Sequence, residues 1–101
     1  MWRHGDVLIR AVDSIPANAE RRATGVLVRG EMTGHSHRIE VPETAEVWEC
    51  DGVLFVRVVA GTARVIHEEH KPITLPRGLY RVWQQREYTP TAPKMIRSVT
   101  D

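Results

Sequence analysis

Histidines are the residues of this sequence whose type and spacing could do chemistry. The chain has five in 101 residues, and four of them form two close pairs. His35 and His37 are two residues apart, while His67 and His70 are separated by two glutamates. Two imidazoles together with a third imidazole or a carboxylate are an ordinary three-ligand set for Zn²⁺, Fe²⁺ or Mn²⁺, with a further position left open. The pairs therefore predict a binding site for a divalent metal ion.

The first pair has the spacing of a strand. Side chains two apart on a strand share one face, so both imidazoles of His35 and His37 are expected to point the same way. Their Cα atoms would be roughly 7 Å apart, which lets two nitrogens converge on one ion at about 2.0–2.1 Å each. Gly34 before them permits a tight turn. This pair is the predicted centre of the metal site.

The second pair needs a bend in the chain. In a regular strand His67 and His70 would face opposite sides of the sheet. A turn or bulge ahead of Lys71-Pro72, or a single helical turn, would bring both to one side. With that bend, either histidine could complete the shell around His35 and His37.

Carboxylates near the pairs supply further candidates. Glu40 could complete the metal shell, and Glu68 and Glu69 are candidate general bases beside a metal-bound water. The alternative is that the histidines are structural or interface residues, or that they form a pH-responsive surface, because histidines titrate near neutrality. His4, alone after Arg3, is expected on the surface.

The elements that must position these residues are short strands. Turn residues bound the apolar or alternating runs, and the Asp51-Gly52 turn predicts a hairpin. Further turns are predicted at Ala60-Gly61-Thr62 and at the two prolines Pro72 and Pro76, and one helical turn at Ala17–Ala23. The predicted strands are 6–12, 25–31, 35–41, 45–50, 53–59, 63–69 and 79–88. This pattern predicts an all-β fold, a single small antiparallel sandwich or barrel.

Composition bounds the rest. A chain of this length with 42% hydrophobic residues fits one domain, 1–101, whose tail at 89–101 is expected to be ordered only where it docks. The formal charge of +1 favours neither nucleic acid nor a membrane. No apolar run approaches a membrane span and the start lacks a signal-peptide pattern, so a cytoplasmic protein is expected. The lone Cys50 is expected to be reduced and buried, with its pKa raised by acidic neighbours.

Part of the sequence resembles the cupin superfamily of β-barrels. The carrying pattern is Gly30, then His35-x-His37-x-x-Glu40, a hairpin, and Pro76-x-Gly78. The resemblance implies that His35 and His37 bind a metal together with a nearby Glu and a later His. Glu40 lies closer to the pair than the cupin pattern has it, and Arg81 stands where the later His belongs. A substitute ligand would come from Glu40, His67 or His70.

Nearly the whole chain is similar to a group of small, uncharacterised bacterial proteins. The shared segments are His4-Gly5-Asp6-Val7-Leu8, Gly30-Glu31-Met32-Thr33-Gly34-His35-Ser36-His37, His67-Glu68-Glu69-His70, and Leu75-Pro76-x-Gly78-x-Tyr80-Arg81-Val82 with Gln85-Arg86-Glu87-Tyr88. This second resemblance implies a common fold unit and brings no established activity.

Two function classes follow. The first is a small β domain that binds a divalent metal through paired histidines, with catalysis left open. The second is a non-enzymatic interaction module that pairs with itself as a homodimer, with a protein partner or small-molecule ligand, or with nucleic acid. Nucleic acid is the less favoured partner, because neither face of the predicted strand at Arg81–Tyr88 is purely basic and aromatic.

Overall fold

A computed structural model of the protein describes residues 1–29 and 35–85, and within them the fold is an antiparallel β-structure. The prediction of an all-β fold is confirmed. The predicted Gly34 turn and the tail at 89–101 lie outside the described residues. The strands are β1 (Trp2–His4), β2 (Val7–Val12), β3 (Glu20–Arg21), β4 (Val26–Arg29), β5 (Ser36–Ile39), β6 (Ala45–Cys50), β7 (Val53–His67) and β8 (His70–Gln84), and a 3-10 turn spans Pro42–Thr44.

The long hairpin of β7 and β8 organises the sheet. Each strand has 15 residues, and the sheet order is β1-β2-β8-β7-β5-β4, with β6 paired to β7 and β3. β6 pairs with the first half of β7, whereas β5 pairs with the second half. The hairpin therefore belongs to two groups of strands, one containing β6 and β2 and the other containing β4 and β5.

β8 turns back on itself, because both of its ends contact the turn between β1 and β2. At one end, Gln84 Nε2 donates to Asp6 Oδ2 at 2.6 Å. At the other end, the His70 ring lies against Gly5, where an added Cβ would be 2.5 Å from Nε2. A straight strand of this length would hold its ends roughly 46 Å apart. This bend is what brings the His70 end of the hairpin to β1.

Irregular pairing of β7 with β8 accounts for the bend and for two wrong predictions. The register shifts between Val58 and Thr62 and again between Val65 and His67. The predicted turn at Ala60-Gly61-Thr62 is instead a strand irregularity, and Pro76, which pairs with Thr62, borders it. Pro72 lies opposite the second shift. Proline is tolerated where a strand makes no ladder hydrogen bond, so neither proline ends β8.

Two further predictions concern turns. The Asp51-Gly52 hairpin is confirmed: Cys50 pairs with Val53, and both turn residues have positive φ, 52° and 81°. That conformation matches the right-handed twist of the flanking strands. The helical turn predicted at Ala17–Ala23 is wrong, because Glu20 and Arg21 form β3 and pair with β6. Within residues 1–29 and 35–85, helical geometry occurs in the 3-10 turn Pro42–Thr44, which begins at a proline.

The core joins the two groups of strands. Its buried apolar side chains are Val7, Ile9, Leu27, Ile39, Ala45, Val47, Val56, Val58, Ala63, Val65, Leu75, Tyr80 and Val82. Most of them alternate along their strands with half-buried or exposed residues, as period-two side-chain geometry predicts. The described residues contain no helix long and apolar enough to cross a membrane.

Candidate metal centre

Two hairpin ends and the start of β5 meet at one place, and all five histidines lie there. His4 is the last residue of β1 and pairs with Val7 across the Gly5-Asp6 turn. His67 and His70 end β7 and begin β8, and they are cross-strand partners. His37 lies in β5, and His35 directly precedes that strand. The fold thus gathers residues that are up to 66 positions apart in the sequence.

The bend predicted for His67 and His70 is present. A register shift after Val65 and a two-residue turn at Glu68-Glu69 make the two histidines directly opposed partners. Opposed partners in an antiparallel pair project from the same face of the sheet. Their ring centroids are accordingly 4.7 Å apart.

His37, His67 and His70 form one group of potential metal ligands. One nitrogen from each ring lies within 4.8 Å of the other two. The ring centroid of His37 is 4.4 Å from that of His67 and 5.6 Å from that of His70. His37 is buried, His67 half-buried and His70 exposed. The group therefore opens from the protein interior towards solvent.

His35 falls into a second group, with His67 and Glu68. The structure therefore places the two histidines of the predicted strand pair in different groups, although both approach His67. The Glu68 carboxylate is already engaged: Oε1 accepts the Ser36 N–H at 3.0 Å, and Oε2 lies 2.8 Å from Arg38 Nη1. The guanidinium charge opposes a cation there, which makes this second group the weaker ligand set.

The remaining predicted carboxylates lie at the edge of the cluster or away from it. Glu40 pairs with Arg64 at 3.3 Å and is in neither ligand group. Glu69 is exposed, with its carboxylate 3.8 Å from His35 Nδ1. Its backbone N–H donates to His67 Nδ1 at 3.0 Å, so the turn also fixes the His67 ring. Glu68 and Glu69 as general bases stay a prediction.

His4 was expected on the surface, and that expectation is wrong. The side chain is buried, with 2% of the residue exposed, and its Nδ1 lies 2.9 Å from Nδ1 of His37. Its Nε2 is buried and has no hydrogen-bond partner among the described residues. A histidine next to arginine near the start of a chain carries no burial signal of its own. The available signal was that His4-Gly5-Asp6 is a segment shared with the similar bacterial proteins and includes a turn, which constrains the position of His4.

Asp6 is a second residue that the sequence reasoning missed. Its Oδ1 lies 3.4 Å from His37 Nε2, and the carboxylate is held by the bond from Gln84. That bond lowers the pKa of Asp6, and the nearby His37 and His70 lower it further. The cluster therefore has a negative charge at the solvent side of His37.

Burial keeps the inner histidines neutral. Desolvation is the main cause that lowers the pKa of His37 to about 4, and the neighbouring His67 and His4 add to the shift more than Asp6 opposes it. Desolvation also lowers the pKa of His4, with the Lys71 backbone acting in the opposite direction. Neutral imidazoles with available lone pairs are the form that binds metal ions.

Gly5 permits the close approach of His70. Its φ is +64°, and a Cβ built there would lie 2.5 Å from His70 Nε2. Any other residue at this position would combine left-handed backbone strain with a clash against a potential ligand. The β1–β2 turn thus shapes the site through the absence of a side chain.

Comparison with known proteins gives a family without a stated activity. A family model described as "Domain of unknown function (DUF8820)" matches residues 3–85. The chain belongs to this family. The match begins just before His4 and spans all five histidines, so the whole cluster lies within the family domain. No curated protein and no solved structure is detectably similar to the chain.

Cys50 offers no competing site. It is half-buried, where a buried side chain was expected. Desolvation raises the pKa of its thiol, and the neighbouring Asp51 raises it further. A protonated thiol is a poor nucleophile and a poor metal ligand. The predicted direction of its pKa shift is confirmed, with Asp51 as the acidic neighbour responsible.

Proposed function

We propose that the protein binds one divalent transition-metal ion through His37, His67 and His70. The observation that carries the proposal is the convergence of three imidazole nitrogens within 4.8 Å of one another. Ligands of a tetrahedral ion with bonds of about 2.1 Å are about 3.4 Å apart, so a contraction of at most about 1.4 Å would close the site. His67 and His70 sit at a hairpin end, where such a movement disturbs few contacts.

The donor set favours borderline metals. Imidazole nitrogens suit Zn²⁺ and Fe²⁺, whereas Mg²⁺ and Ca²⁺ require oxygen ligands. His67 Nδ1 accepts the Glu69 N–H, so the ring proton of His67 is on Nε2. A metal ion at Nε2 would move that proton to Nδ1 and break the bond, and a metal ion at Nδ1 would replace the Glu69 N–H. His70 is on the exposed side, which leaves a further coordination position towards solvent. An open position of this kind lets a metal ion bind a water or a small anionic ligand.

Metal analysis of protein without a histidine tag tests the proposal. We expect one equivalent of Zn²⁺ or Fe²⁺ after reconstitution, with binding followed by isothermal titration calorimetry. A His37→Ala variant should lose this binding. Absence of stoichiometric Zn²⁺, Fe²⁺ or Mn²⁺ in the reconstituted wild-type protein would overturn the proposal.

The His35→Ala variant is the matched control. Because His35 belongs to the other group of potential ligands, its removal should leave the stoichiometry at one. If His35→Ala removes binding as completely as His37→Ala does, the strand pair His35 and His37 is the centre, and the ligand set proposed here is wrong. His35→Ala also tests whether the weaker group binds a second equivalent.

A further inference from the structure

The contact between His4 and His37 requires a proton between two nitrogens. Their Nδ1 atoms are 2.9 Å apart, and two bare nitrogen lone pairs at that distance would repel. One ring must therefore donate its Nδ1–H to the other. With one proton on each ring, two arrangements satisfy the contact.

In the first arrangement His4 donates. His37 then accepts at Nδ1 and carries its own proton on Nε2, which faces Asp6 Oδ1 at 3.4 Å. In the second arrangement His37 donates from Nδ1, and its Nε2 is bare. The first arrangement places an Nε2–H 3.4 Å from the carboxylate oxygen, and the second leaves a lone pair on Nε2 that can bind a cation.

We propose that His4 is the positioning residue of the metal centre: its Nδ1 accepts the Nδ1–H of His37 and leaves His37 Nε2 free to bind the ion. The inference rests on the proposed function. Metal entry then exchanges the tautomers of both rings. The Nε2 proton of His37 goes to solvent, the Nδ1 proton of His4 moves across the contact to His37 Nδ1, and His4 Nε2 takes up one proton from solvent. The pair holds two protons before and after, so no net proton is released.

The unpaired Nε2 of His4 is the second observation. A phenylalanine ring would fill nearly the same buried space without an unpartnered polar atom, so packing alone does not explain an imidazole here. The aromatic neighbours of His4 among the described residues include His37, His67 and His70, with ring centroids at 4.9, 6.4 and 5.6 Å. Of these, His37 is the one within hydrogen-bond distance. The interaction that distinguishes an imidazole from a phenylalanine at this position is therefore the contact of its Nδ1 with His37.

Two variants of the full chain separate positioning from packing. His4→Phe keeps the ring and removes the acceptor, and His4→Asn places an amide oxygen near the position of Nδ1. We expect His4→Phe to bind Zn²⁺ about 10–100-fold more weakly than wild type, the usual effect of losing a partner of a metal-bound histidine. His4→Asn should recover part of that loss. A purely structural role would instead rank the variants by how well each fills the cavity, with phenylalanine the better.

The tautomers of the wild-type protein are a direct readout. Long-range ¹H–¹⁵N correlation spectra should show the His37 proton on Nε2 without metal and on Nδ1 with Zn²⁺. Wild-type affinity in His4→Phe, or Zn²⁺ on Nδ1 of His37, would overturn the inference while leaving the proposed function standing. Absence of Zn²⁺ binding by the wild-type protein would overturn both. If His4→Phe does not fold, the wild-type spectra still decide.

Discussion

The protein buries two groups of side chains that differ in chemistry. In the apolar core, Val56, Val65 and Leu75 are completely buried among other aliphatic residues. In the histidine cluster, His4 and His37 are almost as buried, yet they are surrounded by other imidazoles. Burial stabilises the first group, because removing apolar surface from water is favourable. In the second group burial instead disfavours the charged form of each ring, and the result is a set of neutral donors.

The two regions also differ in how the chain builds them. Alternating side chains along paired strands produce the core, and each strand contributes its inner face. The cluster lies at strand ends, where two turns of two residues set the positions of His4, His67 and His70. Strand ends tolerate rearrangement better than a packed core does. The small movement that the proposed metal site requires would therefore leave the fold undisturbed.

The largest contrast is expected from one truncation in each region. Leu75→Ala should lower the free energy of unfolding by about 2–5 kcal/mol, because it leaves a cavity in the core. Zn²⁺ affinity should stay near the wild-type value. His37→Ala should lower Zn²⁺ affinity by more than about 100-fold, since losing a ligand costs more than losing its hydrogen-bond partner.

Urea unfolding in excess chelator and calorimetric Zn²⁺ titration measure the two quantities separately. Equal losses of Zn²⁺ affinity in both variants would mean that the site depends on overall stability and not on His37. A wild-type affinity in His37→Ala would contradict the assignment of the ligand directly.

The fold could be predicted from local pattern, and the site could be predicted only in part. Alternation and the Asp51-Gly52 turn are local signals, and they predicted β6 and its hairpin correctly. Gly61 and Pro76 carry the same turn signals, but the pairing of two long strands overrides them. The pairing of β7 with β8 keeps both segments in strand conformation, because the irregular register needs no hydrogen bond from the proline.

For the site, the pairs His35/His37 and His67/His70 showed where histidines are dense, and spacing alone could not show which nitrogens converge. His4 and Asp6 reach His37 only because β8 turns back on itself, so the His4-Gly5-Asp6 segment indicates a turn but not which residues that turn contacts. Long-range packing of this kind has no signature in sequence spacing. Of the five predicted ligands, His37, His67 and His70 lie in one group, His35 lies in the other, and Glu40 lies in neither.

The next largest effect concerns pH. The pKa of His37 is about 4 in the folded protein, against 6.5 for an ordinary histidine, so the unfolded chain binds the proton more strongly. Stability is therefore fully present above pH 6.5 and is lost as the pH falls through the window down to about 4. The shift corresponds to about 3 kcal/mol for this buried group. The lowered pKa of His4 acts in the same direction.

Urea unfolding of the metal-free protein from pH 7.5 to about pH 5 measures this dependence, and the range stops above the ordinary pKa values of Asp6 and Glu68. His37→Phe is the control, because it removes the titrating group and keeps a ring. Its stability should vary less with pH than that of the wild type. A wild-type profile that is flat over this range would contradict neutral burial of His37.

A smaller effect distinguishes two glycines with positive φ. Gly5→Ala and Gly52→Ala both place a Cβ in left-handed backbone, which costs about 1–2 kcal/mol of stability. At Gly52 nothing lies within 4 Å of the added atom, whereas at Gly5 it meets the His70 ring. Only Gly5→Ala should therefore lower Zn²⁺ affinity. Unchanged affinity in that variant would indicate that His70 can move away without leaving the ligand set.

The smallest effect is expected at two ion pairs. Glu68→Gln weakens the link between the β7–β8 turn and β5, where the carboxylate contacts Ser36 and Arg38. Glu40→Gln removes a comparable charge from its pair with Arg64, outside both ligand groups. Partly exposed pairs contribute about 0.2–1 kcal/mol, so neither variant should change stability greatly. If the turn positions His67 through Glu68, Zn²⁺ affinity should fall by about twofold to fivefold in Glu68→Gln only.

The comparison of these two glutamates decides how His67 is held. Without metal its ring accepts the Glu69 N–H, which fixes it relative to its own turn. Glu68 fixes that turn relative to β5, and β5 supplies His37. An affinity loss shared equally by Glu68→Gln and Glu40→Gln, measured by competition with a chromogenic chelator, would indicate a general electrostatic effect on the cation. A loss confined to Glu68→Gln that persists at about 1 M salt, where the effect of the nearer charge is screened, would show that the distance between His37 and His67 is set by contacts across the strands.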